Sequence, residues 1–112
     1  MVRPAKLEVS EQVQPGRATV SVEGELDLST VPVLEERVNA QMGSGESALT
    51  LDLSGVSFMD SSALRFLIAL NERAQDEERA ISLIAPQHES ARLVLRMTGA
   101  DKALPFERGA AP

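Results

Sequence analysis

No cysteine occurs among the 112 residues, which excludes disulfides, thiolate metal sites and cysteine catalysis. Histidine is nearly missing too. His88 stands alone, and with neither a cysteine nor a second histidine to share an ion it is not expected to be a metal ligand. Basic residues are scarce: 11 Lys and Arg face 17 Asp and Glu, for a formal charge of −6 and a pI near 4.7. Nucleic-acid phosphates and anionic membranes both call for clustered Lys and Arg, so neither is expected as a partner, whereas a protein with a basic patch would suit this surface. No segment approaches the roughly 18 apolar residues of a membrane span. The opening MVRPAKLEVSEQV has no apolar core of the signal-peptide kind, and a cytoplasmic location is the expectation. Gly43, Ser44 and Gly45 are too short a run for a phosphate-binding loop, which ends in a lysine. Glu25 and Asp27 pair with no obvious second carboxylate for acid/base work. No catalytic residue, cofactor or metal is therefore expected, and a nucleotide hydrolase or phosphotransferase lacks its usual parts.

What is present is the ordinary balance of a globular domain, with 43% hydrophobic and 25% charged residues. Leu7, Val9 and Val13, then Ala18, Val20 and Val22 after Pro15 and Gly16, predict a β-hairpin whose wet face carries Ser10, Gln12, Thr19, Ser21 and Glu23. Ser29 or Thr30 offers a helix N-cap. Pro32 fits the first turn, Glu35 and Glu36 would complement the dipole, and Val31, Leu34, Val38 and Met42 follow at helical spacing up to Gly43. A strand over 48–53, a helix over about 61–75, a strand over 80–85 and a helix over 89–98 stopped by Gly99 come next. Leu104 and Phe106 could add a short edge strand, and 108–112 reads as a frayed tail. The spacing predicts one α/β domain over 3–107, with a small mixed sheet packed with amphipathic helices in the order β-β-α-β-α-β-α-β, parallel in its second half.

The stretch LSGVSFMDSSAL, from Leu53 to Leu64, concentrates the chemistry. An apolar strand runs into Asp60 and two adjacent hydroxyls, Ser61 and Ser62, which open a helix. A helix N-terminus favours negative charge, but Asp and Ser also lead at N-caps anywhere. A serine here is either a cap or a switch. Leu64, Leu67, Ile68, Asn71 and Ala74 are expected to face the core, which leaves Ser62, Arg65, Ala69 and Glu72 on the wet side as the docking face, with Ser61 at the boundary. Phe66 falls off that stripe, either as a partly exposed contact or packed under a neighbouring loop.

Three runs together resemble the STAS domain, and within it the bacterial anti-sigma factor antagonists: Gly24-Glu25-Leu26-Asp27, LDLSGVSFMDSSAL, and RLVLRMTGADKALPF. The DSS run after an apolar strand is the specific part. The resemblance spans almost the whole chain and implies a small α/β domain that docks on an anti-sigma factor which is also a serine kinase. It implies that Ser61 is the phosphorylated residue, that a serine phosphatase reverses the modification, and that Asp27 and Asp60 flank the site. Two positions depart from the family. Ala63 replaces a usual glycine and should stiffen the helix start, and Arg65 replaces a small residue. Arg65 lies one turn from Ser61, where it could pair with a phosphate there or with an acid on the partner.

Phosphorylation would add roughly −1.5 to −2 charges at this helix start. Exposed backbone N–H groups and the dipole are expected to tolerate that charge within the domain. A partner packed on the helix tip would have to desolvate it, at a cost of several kcal/mol if it stays unpaired. Two functions follow: a switchable module that captures the kinase and frees its sigma factor, or a non-switching STAS subunit of a stress-signalling or transport assembly, with Ser61 only a cap.

Overall fold

The computed structural model describes residues 6–43, 45 and 47–107. The expected domain start at residue 3, the expected tail over 108–112 and Ser44 lie outside them. Strands β1 (Leu7–Gln14) and β2 (Arg17–Leu26) form the predicted hairpin, pairing Leu7 with Gly24, Val9 with Val22 and Gln14 with Arg17. β2 then pairs in parallel with β3 (Ala48–Met59), and β3 in parallel with β4 (Ala80–Ile84), so the sheet runs β1-β2-β3-β4. Helix α1 (Val31–Met42) links β2 to β3, and α2 (Ser61–Asp76) links β3 to β4. Helices α3 (Glu89–Thr98) and α4 (Ala100–Ala103) complete the domain, with Gly99 between them at φ 78 as the expected left-handed stop. Among the described residues no helix is long and apolar enough to cross a membrane.

One apolar layer joins the sheet to its helices. Val20, Val22 and Leu26 of β2 and Leu49, Leu51, Leu53, Val56 and Met59 of β3 meet Leu34, Val38 and Met42 of α1, Phe66, Leu67 and Leu70 of α2, and Leu95 of α3. The outer edge of β1 carries its own guard. Arg37 of α1 ion-pairs with Glu11 and donates through Nη2 to the Val9 carbonyl at 3.2 Å, so part of the edge ladder is already occupied.

Several elements differ from their sequence expectation. β3 continues past Leu53 to Met59: a register shift between Ser21 and Glu23 takes in an extra residue at Leu53–Ser54, Gly55 pairs with Glu23, and a second shift between Gly24 and Glu25 takes in Ser57. The buried stripe of α2 is Ala63, Phe66, Leu67, Leu70 and Ala74; Ile68, expected inside, is 46% exposed. Phe66 is a core residue, 8% exposed. Thr30 occupies the N-cap position of α1 without a side-chain cap bond, and no acidic residue lies in the first turn, so Glu35 and Glu36 sit too far along the helix to serve its N-terminus. Phe106 reaches the sheet edge as a single parallel bridge to Leu83, and the one-turn α4 that leads to it was not read in the sequence.

Candidate functional site

The C-terminal ends of β2 and β3 lie side by side, Leu26 opposite Met59, and the two chain segments leaving them build the site. Asp60 has an extended backbone at φ −117, the N-cap conformation. Its Oδ1 accepts hydrogen bonds from the N–H groups of Ser62 at 2.9 Å and Ala63 at 3.2 Å. Its Oδ2 accepts from the Leu28 N–H at 3.2 Å, and its own N–H donates to the Leu26 carbonyl at 3.3 Å. One carboxylate thus caps α2 and ties the β2–α1 loop to it.

That loop is organised by Asp27. Its Oδ1 accepts from the Ser29 N–H at 2.9 Å, the Ser29 hydroxyl at 2.7 Å and the Thr30 N–H at 3.1 Å, an Asx-type turn that satisfies donors a capping hydroxyl would otherwise take. Its Oδ2 meets the Lys6 ammonium at 2.5 Å. Lys6 before all else, then the Ser29 hydroxyl, hold the Asp27 carboxyl well below the usual carboxylate range, and Asp27 raises Lys6 in return. Thr30 is buried because its hydroxyl turns inward, donating to the Glu25 carbonyl at 2.8 Å and accepting from the Asp27 N–H at 2.9 Å.

Gly24 is what brings Lys6 here. It has φ +112, and a Cβ on it would stand 2.2 Å from the Lys6 carbonyl oxygen, which accepts from the Glu25 N–H at 2.7 Å. The Gly24-Glu25-Leu26-Asp27 run therefore has a physical reading: a crossing that needs glycine, then a carboxylate placed for the lysine that the crossing delivers.

Ser61 is exposed at the first position of α2, and its hydroxyl has no hydrogen-bond partner among the described residues. The sequence reading offered the nearby backbone N–H groups to a phosphate. Those of Ser62 and Ala63 already donate to Asp60, so a phosphate on Ser61 would meet a carboxylate neighbour and look to side-chain cations for relief. Arg65 is exposed and makes no ion pair among the described residues.

Two depressions that share Leu28 are lined by the serine's chain neighbours, Asp60 in one and Ser62 in the other, while Ser61 itself lines neither. Asp27, Leu28, Ser29 and Asp60 line a cleft of about 320 Å³. A groove of about 310 Å³ between α1 and α2 is lined by Leu28, Val31, Pro32, Glu35, Ser62, Arg65, Phe66 and Ala69. The expected residues thus divide: Asp27 and Asp60 meet in the cleft, Ser62, Arg65, Phe66 and Ala69 meet in the groove, and Glu72 is exposed on α2 but lines neither. Leu28 borders both, 74% exposed, and the sequence reading passed over it, as it did Lys6. The available signal was a leucine set among capping residues, where nothing local needs an apolar side chain.

A family model described as Mlab, STAS domain matches residues 9–105. The anti-sigma-F factor antagonist RsfB of Mycobacterium tuberculosis is 36% identical over 73 residues, which make up 65% of this chain and 60% of RsfB. The match thus spans under two thirds of that relative. A crystal structure of an anti-sigma factor antagonist from Mycobacterium paratuberculosis superposes with a TM-score of 0.81 at 30% identity, covering 96% of this chain and 91% of that one. The phosphorylated form of the Bacillus cell fate determinant SpoIIAA shares the fold, with a TM-score of 0.64 at 17% identity over 92% of each chain.

Proposed function

The chain belongs to the STAS domain family, and from that premise we propose that it is an anti-sigma factor antagonist, a binding module rather than an enzyme. It binds a kinase-type anti-sigma factor, which releases a sigma factor. The same kinase phosphorylates Ser61 and ends the complex, and a serine phosphatase restores it. The observation that carries this reading is the division of labour at the start of α2. Asp60 alone accepts from Ser62 and Ala63, which leaves the exposed Ser61 hydroxyl with no structural duty and open to a kinase. RsfB, by its name an anti-sigma-F factor antagonist, and SpoIIAA, which exists in a phosphorylated form, point the same way.

The docking surface in this reading joins Asp27, Asp60, Ser61, Ser62, Arg65, Phe66, Ala69 and Glu72. Phosphate at Ser61 acts through electrostatics. It adds roughly −1.5 to −2 charges to a corner that already holds the Asp27 and Asp60 carboxylates. A partner seated on that corner would have to strip water from the phosphate, and an uncompensated buried charge costs several kcal/mol. The fold is spared, because the capping bonds of Asp60 do not involve the modified oxygen. Incubation with a cognate anti-sigma kinase and ATP, followed by mass spectrometry, tests the reading. Label confined to Ser61 and absent from Ser61→Ala is expected. No label with any such kinase would instead favour a non-switching subunit of a stress-signalling or transport assembly.

A further inference from the structure

We propose that the groove between α1 and α2 seats one apolar side chain of the anti-sigma partner, flanked in that partner by an acidic residue facing Arg65 and a basic residue facing Glu35. The inference rests on the docking function proposed above and assigns it a specificity determinant on α1. The first observation is Leu28. An exposed leucine on a slack loop means little, but this one is 74% exposed on a loop fastened on every side. Its own N–H is held by Asp60, the preceding Asp27 by Lys6, and the following Ser29 and Thr30 by Asp27. Such a residue is presented and prepaid in conformational entropy, which favours binding.

The second observation is the lining. Leu28, Val31, Pro32, Phe66 and Ala69 give an apolar floor and walls, while the two charged residues stand on opposite helices, Glu35 on α1 and Arg65 on α2. Among the described residues neither makes an ion pair, with the other or with any third group. Opposite charges across an apolar slot specify an occupant of matching polarity, because the wrong sign at either wall leaves like charges in contact. The third is the shape. Farther along α1 and α2 the groove narrows to a depression of about 90 Å³ that shares Glu35, Phe66 and Ala69 with it, and there Arg73 Nη1 donates to the Asn39 Oδ1 at 2.5 Å and ties the two helices; the wider end is the one lined by Ser62, next to Ser61 in the chain. From Ser62 to Ala69 the helix rises only ~10 Å, room for one large side chain and its neighbours. Continuity with Ser61 makes the kinase the occupant. A second copy of this chain would bring another charge of −6 to the same surface.

The test uses the full chain, unphosphorylated, and the anti-sigma kinase that labels Ser61 of the wild type. Leu28→Ala, Arg65→Glu and Glu35→Lys are each expected to weaken the complex at least tenfold, with unfolding midpoints unchanged. An acid-to-lysine change in the partner should restore Arg65→Glu, and a base-to-glutamate change should restore Glu35→Lys. Leu28→Cys, the sole cysteine of its chain, also carries a photo-crosslinker. It should capture a kinase peptide with an apolar residue between an acid and a base, and a captured peptide without those charges contradicts the proposal. Affinities within twofold of wild type for all three variants, with Ser61 still labelled, overturn the groove and leave the function standing. Self-association that the same variants abolish, with kinase binding untouched, also overturns it. A wild-type chain that no anti-sigma kinase binds or labels overturns the function and this inference together.

Discussion

Asp60 serves two chain segments through one carboxylate, with Oδ1 on the Ser62 and Ala63 N–H groups and Oδ2 on that of Leu28. Removing it leaves helix donors unsatisfied and frees the loop. Asp60→Ala should cost about 1–2 kcal/mol, read as a lower urea midpoint, while Ser61→Ala should stay within about 0.5 kcal/mol. Asp27 makes a second prediction, in pH. Its carboxyl is held well below the usual range by Lys6 and Ser29, and in the unfolded chain it titrates near ~3.9. A group that binds its proton less tightly when folded stabilises the fold fully above that value, and the contribution is lost as the pH falls toward the folded pKa. Urea unfolding should show stability falling below about pH 4, with a shallower fall in Asp27→Asn. In Lys6→Gln the Asp27 carboxyl should titrate closer to its ordinary value, measured by carbon-13 NMR. Arg65 makes no ion pair among the described residues, and in the proposed reading its role changes with its partner: an acid in the complex, a phosphate one turn away after modification.

At the scale of elements, α2 shows how far a sequence carries and where it stops. Its length, its cap at Asp60 and the wet positions of Ser62, Arg65, Ala69 and Glu72 were all legible, because they depend on local rules. Its phase was not. Apolar residues from Ala63 to Leu70 cover more than one face, so the stripe through Leu64, Leu67 and Ile68 satisfied helical spacing as well as the true one through Ala63, Phe66, Leu67 and Leu70. Only the position of the sheet chooses between them. Leu67→Ala should accordingly cost about 3 kcal/mol, and Ile68→Ala about 0.5 kcal/mol or less, since Ile68 stays half in water. The end of β3 was missed for a related reason. Ser54 and Gly55 look like a turn in isolation, but a one-residue bulge of β3 against β2 takes Ser54 in, and Gly55 pairs with Glu23. Lys6 was illegible because its meaning is tertiary, set by the crossing at Gly24, and Leu28, with only its apolar side chain among capping residues as a signal, takes its place from the Asp60 carboxylate across the loop. Gly24→Ala should destabilise the fold by about 2 kcal/mol or more, and it should loosen Lys6 from Asp27, moving the Asp27 titration upward.

Across the whole molecule, the sheet and its apolar layer hold the ends of β2 and β3 together, and everything that distinguishes the chain sits on the segments leaving those two ends. The hydrogen bonds there centre on two carboxylates and leave the Ser61 hydroxyl out, so in the proposed reading a single added phosphate is expected to change the surface without changing the fold. Ser61→Asp, which carries less charge than a phosphate, should weaken partner binding in the same direction and leave the thermal midpoint nearly unchanged. The most direct test of the account is a calorimetric titration of the anti-sigma kinase with two preparations of this protein, one unmodified and one stoichiometrically phosphorylated at Ser61. The account predicts a loss of at least ~100-fold in affinity, about 2.7 kcal/mol, with the unfolding midpoint of the free protein unchanged. Equal affinity of the two forms, or a phosphorylated form that has lost its fold, would contradict it.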